Sequence, residues 1–198
     1  MFLAKNQLEK LIKQEKLIIS PLLDNSQINE MTIDFRLGYD FLVSIQGRHP
    51  YLNSASHIPT DGAFYHFFQE TRRNFGDTFL FHPGQTVLGA TLEYVKLPEN
   101  VSAILSPRSS YNRLGINLST VIQPGYCGCF SLEITNTSHN PIKVRVGATM
   151  FQARFVKTKK TNYFSKERKY ICSVKPEISG ANKDQDLKLL ELINKPIS

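Results

Sequence analysis

The residues whose types and spacing could do chemistry lie in three short segments between Ser106 and Asn136. Ser106-Pro107-Arg108-Ser109-Ser110-Tyr111-Asn112-Arg113-Leu114-Gly115 sets two arginines and two serine hydroxyls at the end of an apolar run. Guanidinium forks and short hydroxyl donors suit phosphate oxygens. The plain alternative is a polar turn capping a short helix. Gln123-Pro124-Gly125-Tyr126-Cys127-Gly128 follows, a tight turn whose glycines let backbone approach a ligand or another chain. By itself it is only a hairpin. Cys129-Phe130-Ser131-Leu132-Glu133-Ile134-Thr135-Asn136 then alternates, with Phe130, Leu132 and Ile134 on one face and Ser131, Glu133 and Thr135 on the other. An acid on the polar face of a strand is ordinarily a solvated side chain, so Glu133 gains meaning only from the groups that converge on it.

Several common chemistries are missing. There is no Gly-x4-Gly-Lys-Ser/Thr loop, no Gly-x-Gly-x-x-Gly fingerprint and no Gly-x-Ser-x-Gly elbow. The five histidines are scattered without ligand spacing, and Cys127-Gly128-Cys129 is too tight for a two-cysteine zinc knuckle. The His-x-Glu with Pro-Cys-x-x-Cys of zinc deaminases is absent, so no zinc site is expected. The three cysteines, Cys127, Cys129 and Cys172, are an odd count, and the first two are too close to pair in an ordinary bridge. They read as reduced thiols of a cytoplasmic protein. The N-terminus lacks the pattern of a signal peptide, and no run of about 18 apolar residues marks a spanning helix.

The elements that must carry these segments are mostly strands. A chain of 198 residues, 41% hydrophobic and 21% charged, is one domain's worth, and burying roughly 70% of its unfolded surface holds it without staples. Leu8, Leu11 and Ile12 recur at helical spacing, and Asn6 with Glu9 imitates a capping box, which predicts a helix over 6–16. Ile33, Phe35 and Leu37 alternate with Asp34 and Arg36, and Phe41 to Ile45 follows a turn. Residues 46–77 have no clear period and read as an irregular excursion with a short helix and an aromatic cluster, Phe64, Tyr65, Phe67 and Phe68. From Thr78 onward, short runs at 78–81, 86–97, 101–105, 129–135, 141–146 and 149–156 alternate with turn signals, which argues an all-β sandwich or barrel. A Lys-rich stretch and a terminal helix over 184–194 complete the expectation.

Arg-Ser-Ser-x-x-Arg-x-Gly, then Pro-Gly-Tyr-x-Gly, Leu-Glu-x-x-Asn, Pro141-Ile142, Gly147 and Phe151-Gln152 together resemble the dCTP deaminase branch of the dUTPase-like superfamily. The resemblance extends to Leu17-Ile18-Ile19-Ser20-Pro21-Leu22, Thr32-Ile33-Asp34-Phe35-Arg36-Leu37-Gly38, His82-Pro83-Gly84, Thr91-Leu92-Glu93 and Leu97-Pro98. It implies a single mainly β domain over 1–198, a distorted β-barrel or jelly roll of the β-clip kind with an N-terminal helix and a few short helices. A C-terminal lid or tail would occupy 157–198. It implies a homotrimer with sites between subunits, and zinc-independent hydrolysis of dCTP to dUTP and ammonia, supplying dUTP for thymidylate synthesis. Glu133 would be the general base that activates water, and Arg113 would position water and carboxylate. Arg108, Ser109 and Ser110 would hold a triphosphate whose magnesium rides on the phosphates and not in a protein cage. Gln123 and Tyr126 from the turn, and Tyr163, Lys169 and Tyr170 from the lid, would complete substrate binding.

Three departures from the family pattern shape the alternatives. Gln123 replaces an aspartate that in dUTPases activates water at the α-phosphorus, and an amide cannot be a general base, which disfavours a dUTP pyrophosphatase and a bifunctional deaminase-pyrophosphatase. Gly115 to Gln123 is about three residues shorter than usual, with Leu118-Ser119-Thr120-Val121 in place of a Thr-Ala-His-Arg element. Ser173 replaces a common glutamine. The alternative is therefore a deoxynucleotide-binding sensor or regulator of the same fold. A nucleic-acid partner would rest on the +7 charge and the aromatics alone. Between Lys157 and Lys169, however, six basic residues face one acid, Glu167, so this stretch holds five of the seven net charges, and the anion it suits is a triphosphate, not a nucleic acid or a membrane.

Overall fold

Alternating apolar residues become strands along most of the chain. The computed structural model describes residues 1–45, 52, 54, 64–161, 170, 172–181, 189 and 193. The order is α1 (Lys5–Lys13), β1 (Ile18–Ser20), β2 (Ile33–Arg36), β3 (Asp40–Ser44), β4 (Phe68–Arg72), β5 (Thr78–Phe81), β6 (Thr86–Lys96), β7 (Val101–Pro107), α2 (Ser109–Asn112), β8 (Ile116–Asn117), β9 (Thr120–Ile122), β10 (Cys127–Asn136), β11 (Ile142–Arg145) and β12 (Thr149–Lys157). A six-stranded sheet runs β4-β3-β6-β10-β8 with β1 added to β6. A four-stranded sheet runs β2-β12-β7-β9, and β11-β5 form a separate ribbon. The mainly β reading therefore holds, but the sheets pack as a distorted sandwich and do not close into a barrel. None of the helices among the described residues is long and apolar enough to cross a membrane.

The helix starts one residue earlier than expected and stops sooner. The Asn6 and Glu9 pair does not cap it. Instead the Gln7 carboxamide accepts the Ala4 N–H at 3.0 Å, and the left-handed Glu15, φ 54°, lies just past the helix end. The excursion contains a strand that its polar sequence, Phe68-Gln69-Glu70-Thr71-Arg72, did not betray: β4 pairs along the whole of β3. Of the aromatic cluster, Phe64 is buried and Tyr65 exposed. The expected 184–194 helix lies outside the described residues except Leu189 and Ile193, both helical and exposed.

Phenylalanines from both large sheets fill the space between them. Phe35 of β2 meets Phe130 of β10 edge-on at 5.1 Å, and Phe41 stacks on Phe79 at 4.2 Å. One ion pair crosses this core. The fully buried Glu93 accepts from the Arg36 backbone N–H at 2.9 Å, from its guanidinium at 3.1 Å and from the Gln27 amide at 3.3 Å. Burial pushes the Glu93 carboxyl above its ordinary range, and Arg36 opposes that push. An isolated carboxylate here would be untenable, so the pair fixes β2 against β6.

A bulge sets the aim of β10. Its register against β6 shifts between Cys129 and Ser131, and the Phe130 N–H freed there donates to the Thr91 hydroxyl at 2.9 Å, which in turn donates to the Glu93 carbonyl. Beyond the bulge Leu132 and Ile134 point inward and Glu133 outward. Asn136 ends the strand: its amide donates to the Phe81 and Asn140 carbonyls, and its carbonyl accepts from Ser138. Gly115, φ 101°, lies so close to that turn that a Cβ would sit 2.7 Å from Ser138 Cβ. The Arg-Ser-Ser helix is thereby locked to the end of the strand that carries Glu133.

Candidate active site

Glu133 stands on the outer face of the six-stranded sheet, directly across from Leu88. Thr120 of β9 donates its hydroxyl to Glu133 Oε2 at 2.6 Å. A cavity of about 290 Å³ lies over this face. Leu88, Ser131 and Glu133 line its sheet side, Phe68 comes from β4, and the C-terminal segment supplies Tyr170 and Glu177. The structure thus brings together Glu133 and Tyr170, two residues from opposite ends of the sequence-based set.

The C-terminal segment is laid across β10 by backbone contacts. Cys172 N–H donates to the Cys127 carbonyl at 2.6 Å, and Cys129 N–H to the Ser173 carbonyl at 2.8 Å. The Tyr170 hydroxyl accepts the Gly180 N–H at 2.7 Å, which folds the segment back on itself. Gly128 makes this crossing possible. Its φ is 137°, and a Cβ would lie 2.6 Å from Ser173 O and 2.9 Å from the Tyr126 hydroxyl. Cys127 and Cys172 are joined by a disulfide with Cα atoms 4.9 Å apart. This corrects the expectation of three reduced thiols: the odd count is right, but two cysteines distant in sequence become neighbours when the tail returns along β10. Cys129 remains free and buried, its thiol pushed up to about 11 by burial, with the Glu93 charge adding.

The arginine-serine segment forms a separate cluster. Arg108 caps α2, its N–H donating to the Met150 carbonyl at 2.8 Å. Its guanidinium Nε contacts Asp34 Oδ2 at 3.3 Å, with side chains 43% and 10% exposed respectively. Burial pushes the Asp34 carboxyl up, and the Arg108 charge opposes that push. Arg108 Nη1 donates to the Thr149 carbonyl at 3.4 Å, so Asp34 and Thr149 together aim the half-exposed guanidinium. Ser109 and Ser110 on this short helix, and Arg113 just past its end, are exposed. Among the described residues no ion pair joins Arg113 to Glu133.

The turn residues divide. Gln123 is exposed at its start. Tyr126 is 5% exposed, its hydroxyl donates to the Cys129 carbonyl at 2.6 Å, and burial pushes its phenol up. Within the chain its side chain is a buried support that holds the turn and the bulge. Tyr163 and Lys169 lie outside the described residues. Thr120 and Asp34 are the positions that sequence reasoning missed. Thr120 fell in what read as a gap in the family pattern, and Asp34 occupied the polar phase of an alternating strand, which ordinarily faces water. Among the described residues no three His, Cys, Asp or Glu side chains cluster in a metal-holding arrangement.

Comparison with known proteins adds to this geometry. Residues 2–158 match the family model described as dCTP deaminase-like. A "dCTP deaminase, dUMP-forming" of Methanobrevibacter smithii is 30% identical over 196 residues, covering 94% of this chain and 98% of the relative. One from Dictyoglomus turgidum is 33% identical over 193 residues, covering 93% and 96%. A dCTP deaminase of Colwellia psychrerythraea is 35% identical over 150 residues, covering 73% and 76%. The crystal structure of 2'-deoxycytidine 5'-triphosphate deaminase from Agrobacterium tumefaciens superposes with a TM-score of 0.58 at 26% identity, covering 78% of this chain and 46% of that one.

Proposed function

The chain belongs to the dCTP deaminase-like family, and on that premise we propose that it hydrolyses the 4-amino group of dCTP, giving ammonia and a deoxyuridine nucleotide. The observation that carries this reading is Glu133, exposed in a cavity of nucleobase scale under the C-terminal segment. Water adds to C4 of the cytosine ring as Glu133 takes its proton. The carboxylic acid so formed gives that proton to N3; Glu133 then takes the proton of the new C4 hydroxyl and passes it to the amino group, and ammonia leaves as the C4 carbonyl forms. Glu133 ends as it began, and no zinc is called on.

Arg108, Ser109 and Ser110 suit the triphosphate, with magnesium arriving as part of the nucleotide. Neither they nor Arg113 are among the described residues that line the Glu133 cavity, and a homotrimer would let one site combine groups from different subunits. Light scattering should then give about three times the 22.5 kDa chain mass. Tyr170 with Tyr163 and Lys169 would form the closing segment, and Gln123 would hydrogen-bond the sugar. The enzyme is placed in the cytoplasm, supplying deoxyuridine nucleotide for thymidylate synthesis. In a reducing compartment the Cys127–Cys172 pair opens, leaving the tail on its backbone hydrogen bonds.

The released nucleotide is taken as dUTP, because the amide at Gln123 cannot activate water at phosphorus. The names of the Methanobrevibacter and Dictyoglomus relatives favour a second reading, release of dUMP and pyrophosphate. Chromatography of a dCTP and magnesium digest separates the two. Absence of ammonia with dCTP, dCDP and dCMP all intact refutes both, and calorimetric binding without turnover then favours the sensor. Glu133→Gln should abolish turnover while dCTP binding persists, and full activity in that variant refutes the role of Glu133.

A further inference from the structure

Glu133 sits on an exposed strand face with a side chain free to rotate about several bonds. A general base must present one oxygen to its water in one direction, and ordering such a side chain costs up to about 2 kcal/mol of rotamer freedom. Among the described residues, the Thr120 hydroxyl is the one side-chain hydrogen-bond partner of the Glu133 carboxylate.

The donor is itself well held. Thr120 is paired with Leu105 of β7, its β-branched side chain has few χ1 choices, and buried Leu118 and Ile122 anchor it from either side. The Ser102 hydroxyl adds a 2.7 Å bond to the Ile122 carbonyl. A rigid strand of the four-stranded sheet therefore reaches across to a carboxylate on the six-stranded one. We propose that Thr120 is a positioning residue for catalysis: its hydroxyl occupies Glu133 Oε2 and leaves Oε1 as the oxygen that takes the proton of water. The inference rests on the reading of Glu133 as general base and adds which oxygen acts and what aims it. It also gives a purpose to Leu118-Ser119-Thr120-Val121, the segment that departs from the family pattern.

The test compares wild type, Thr120→Val and Thr120→Ser in dCTP turnover with magnesium, in calorimetric dCTP binding, and in the carboxyl carbon resonance of Glu133 in labelled protein. Loss of a hydrogen bond to a charged group should lower kcat of the valine variant about 10-fold to about 100-fold at unchanged dCTP Kd. Serine should restore kcat to within about threefold. The Glu133 resonance should move in the valine variant and stay in the serine one. Wild-type kcat in Thr120→Val overturns the proposal, as does a serine variant that loses as much as valine, or a valine variant whose loss lies in Kd alone. A wild type inert towards dCTP overturns the parent reading and this role with it. That result is distinct from an active wild type with an equally active valine variant, which overturns the role alone.

Discussion

Gly128→Ala probes how the C-terminal segment is held over the cavity. The backbone there, φ 137°, is one that L side chains rarely adopt, and holding alanine in it costs about 1–3 kcal/mol. The new methyl would also sit 2.6 Å from Ser173 O and 3.1 Å from Ser173 N, both main-chain atoms, so no side-chain rotation relieves the collision. The tail must lift, losing the 2.8 Å bond from Cys129 N–H to the Ser173 carbonyl. Loss of that bond and exposure of its groups amount to about 2 kcal/mol, or about 30-fold more of the open state. Cleavage at the exposed Glu177 by a Glu-specific protease tracks this open population and should accelerate by about that factor. The strain left in β10 should lower Tm by about 3–10 °C. With Tyr170 displaced from the cavity, dCTP should bind more weakly while kcat at saturation changes less. A variant with wild-type Tm, cleavage rate and dCTP affinity would refute the close crossing at Gly128.

Removing one partner of the buried pair, Glu93→Ala, leaves Arg36 uncompensated and should cost about 3–5 kcal/mol, a fall in Tm of about 10 °C by calorimetry. Burial raises the Asp34 carboxyl, so the fold binds a proton that the unfolded chain has released. Its contribution to stability should decline as pH rises from about 4 through the folded value, and Asp34→Asn should flatten that part of a Tm-against-pH curve. The same variant frees Arg108 and should raise KM for the triphosphate more than it lowers kcat. Reduction with dithiothreitol, or Cys172→Ser, should make Glu177 easier to cleave while leaving the Tm of the sandwich nearly unchanged, since the bond ties only the tail.

The long alternating runs were legible because a period of two persists over enough residues to be seen. β5, β6, β7, β10, β11 and β12 fall where alternation and turn signals put them. β1, β8 and β9 are two or three residues long, too short to carry a period, and they form because a neighbouring strand offers its edge. β4 is polar and lies on a sheet edge, so pairing and not burial defines it. At the site, Glu133 and the arginine-serine helix could be picked out because their residue types are distinctive. Thr120 could not, since its partner is set by how two sheets approach each other. Nor could the packing of Tyr126 be read from its Pro-Gly-Tyr motif: the turn folds its ring back onto Phe130 at 5.8 Å.

The bond between Cys127 and Cys172, 45 residues apart in sequence, turns β10, β11 and β12 into parts of one covalent ring that contains Glu133. A ring survives a single cut. Trypsin acting at Lys157, Lys159 or Lys160 should yield a protein that migrates as two fragments on a reducing gel and as one species on a non-reducing gel. While the disulfide is closed, Tyr170 would stay moored beside Glu133 through Cys172, two residues on. The reach of the tail would then be set by a one-residue leash and not by the long Lys-rich path that leads to it.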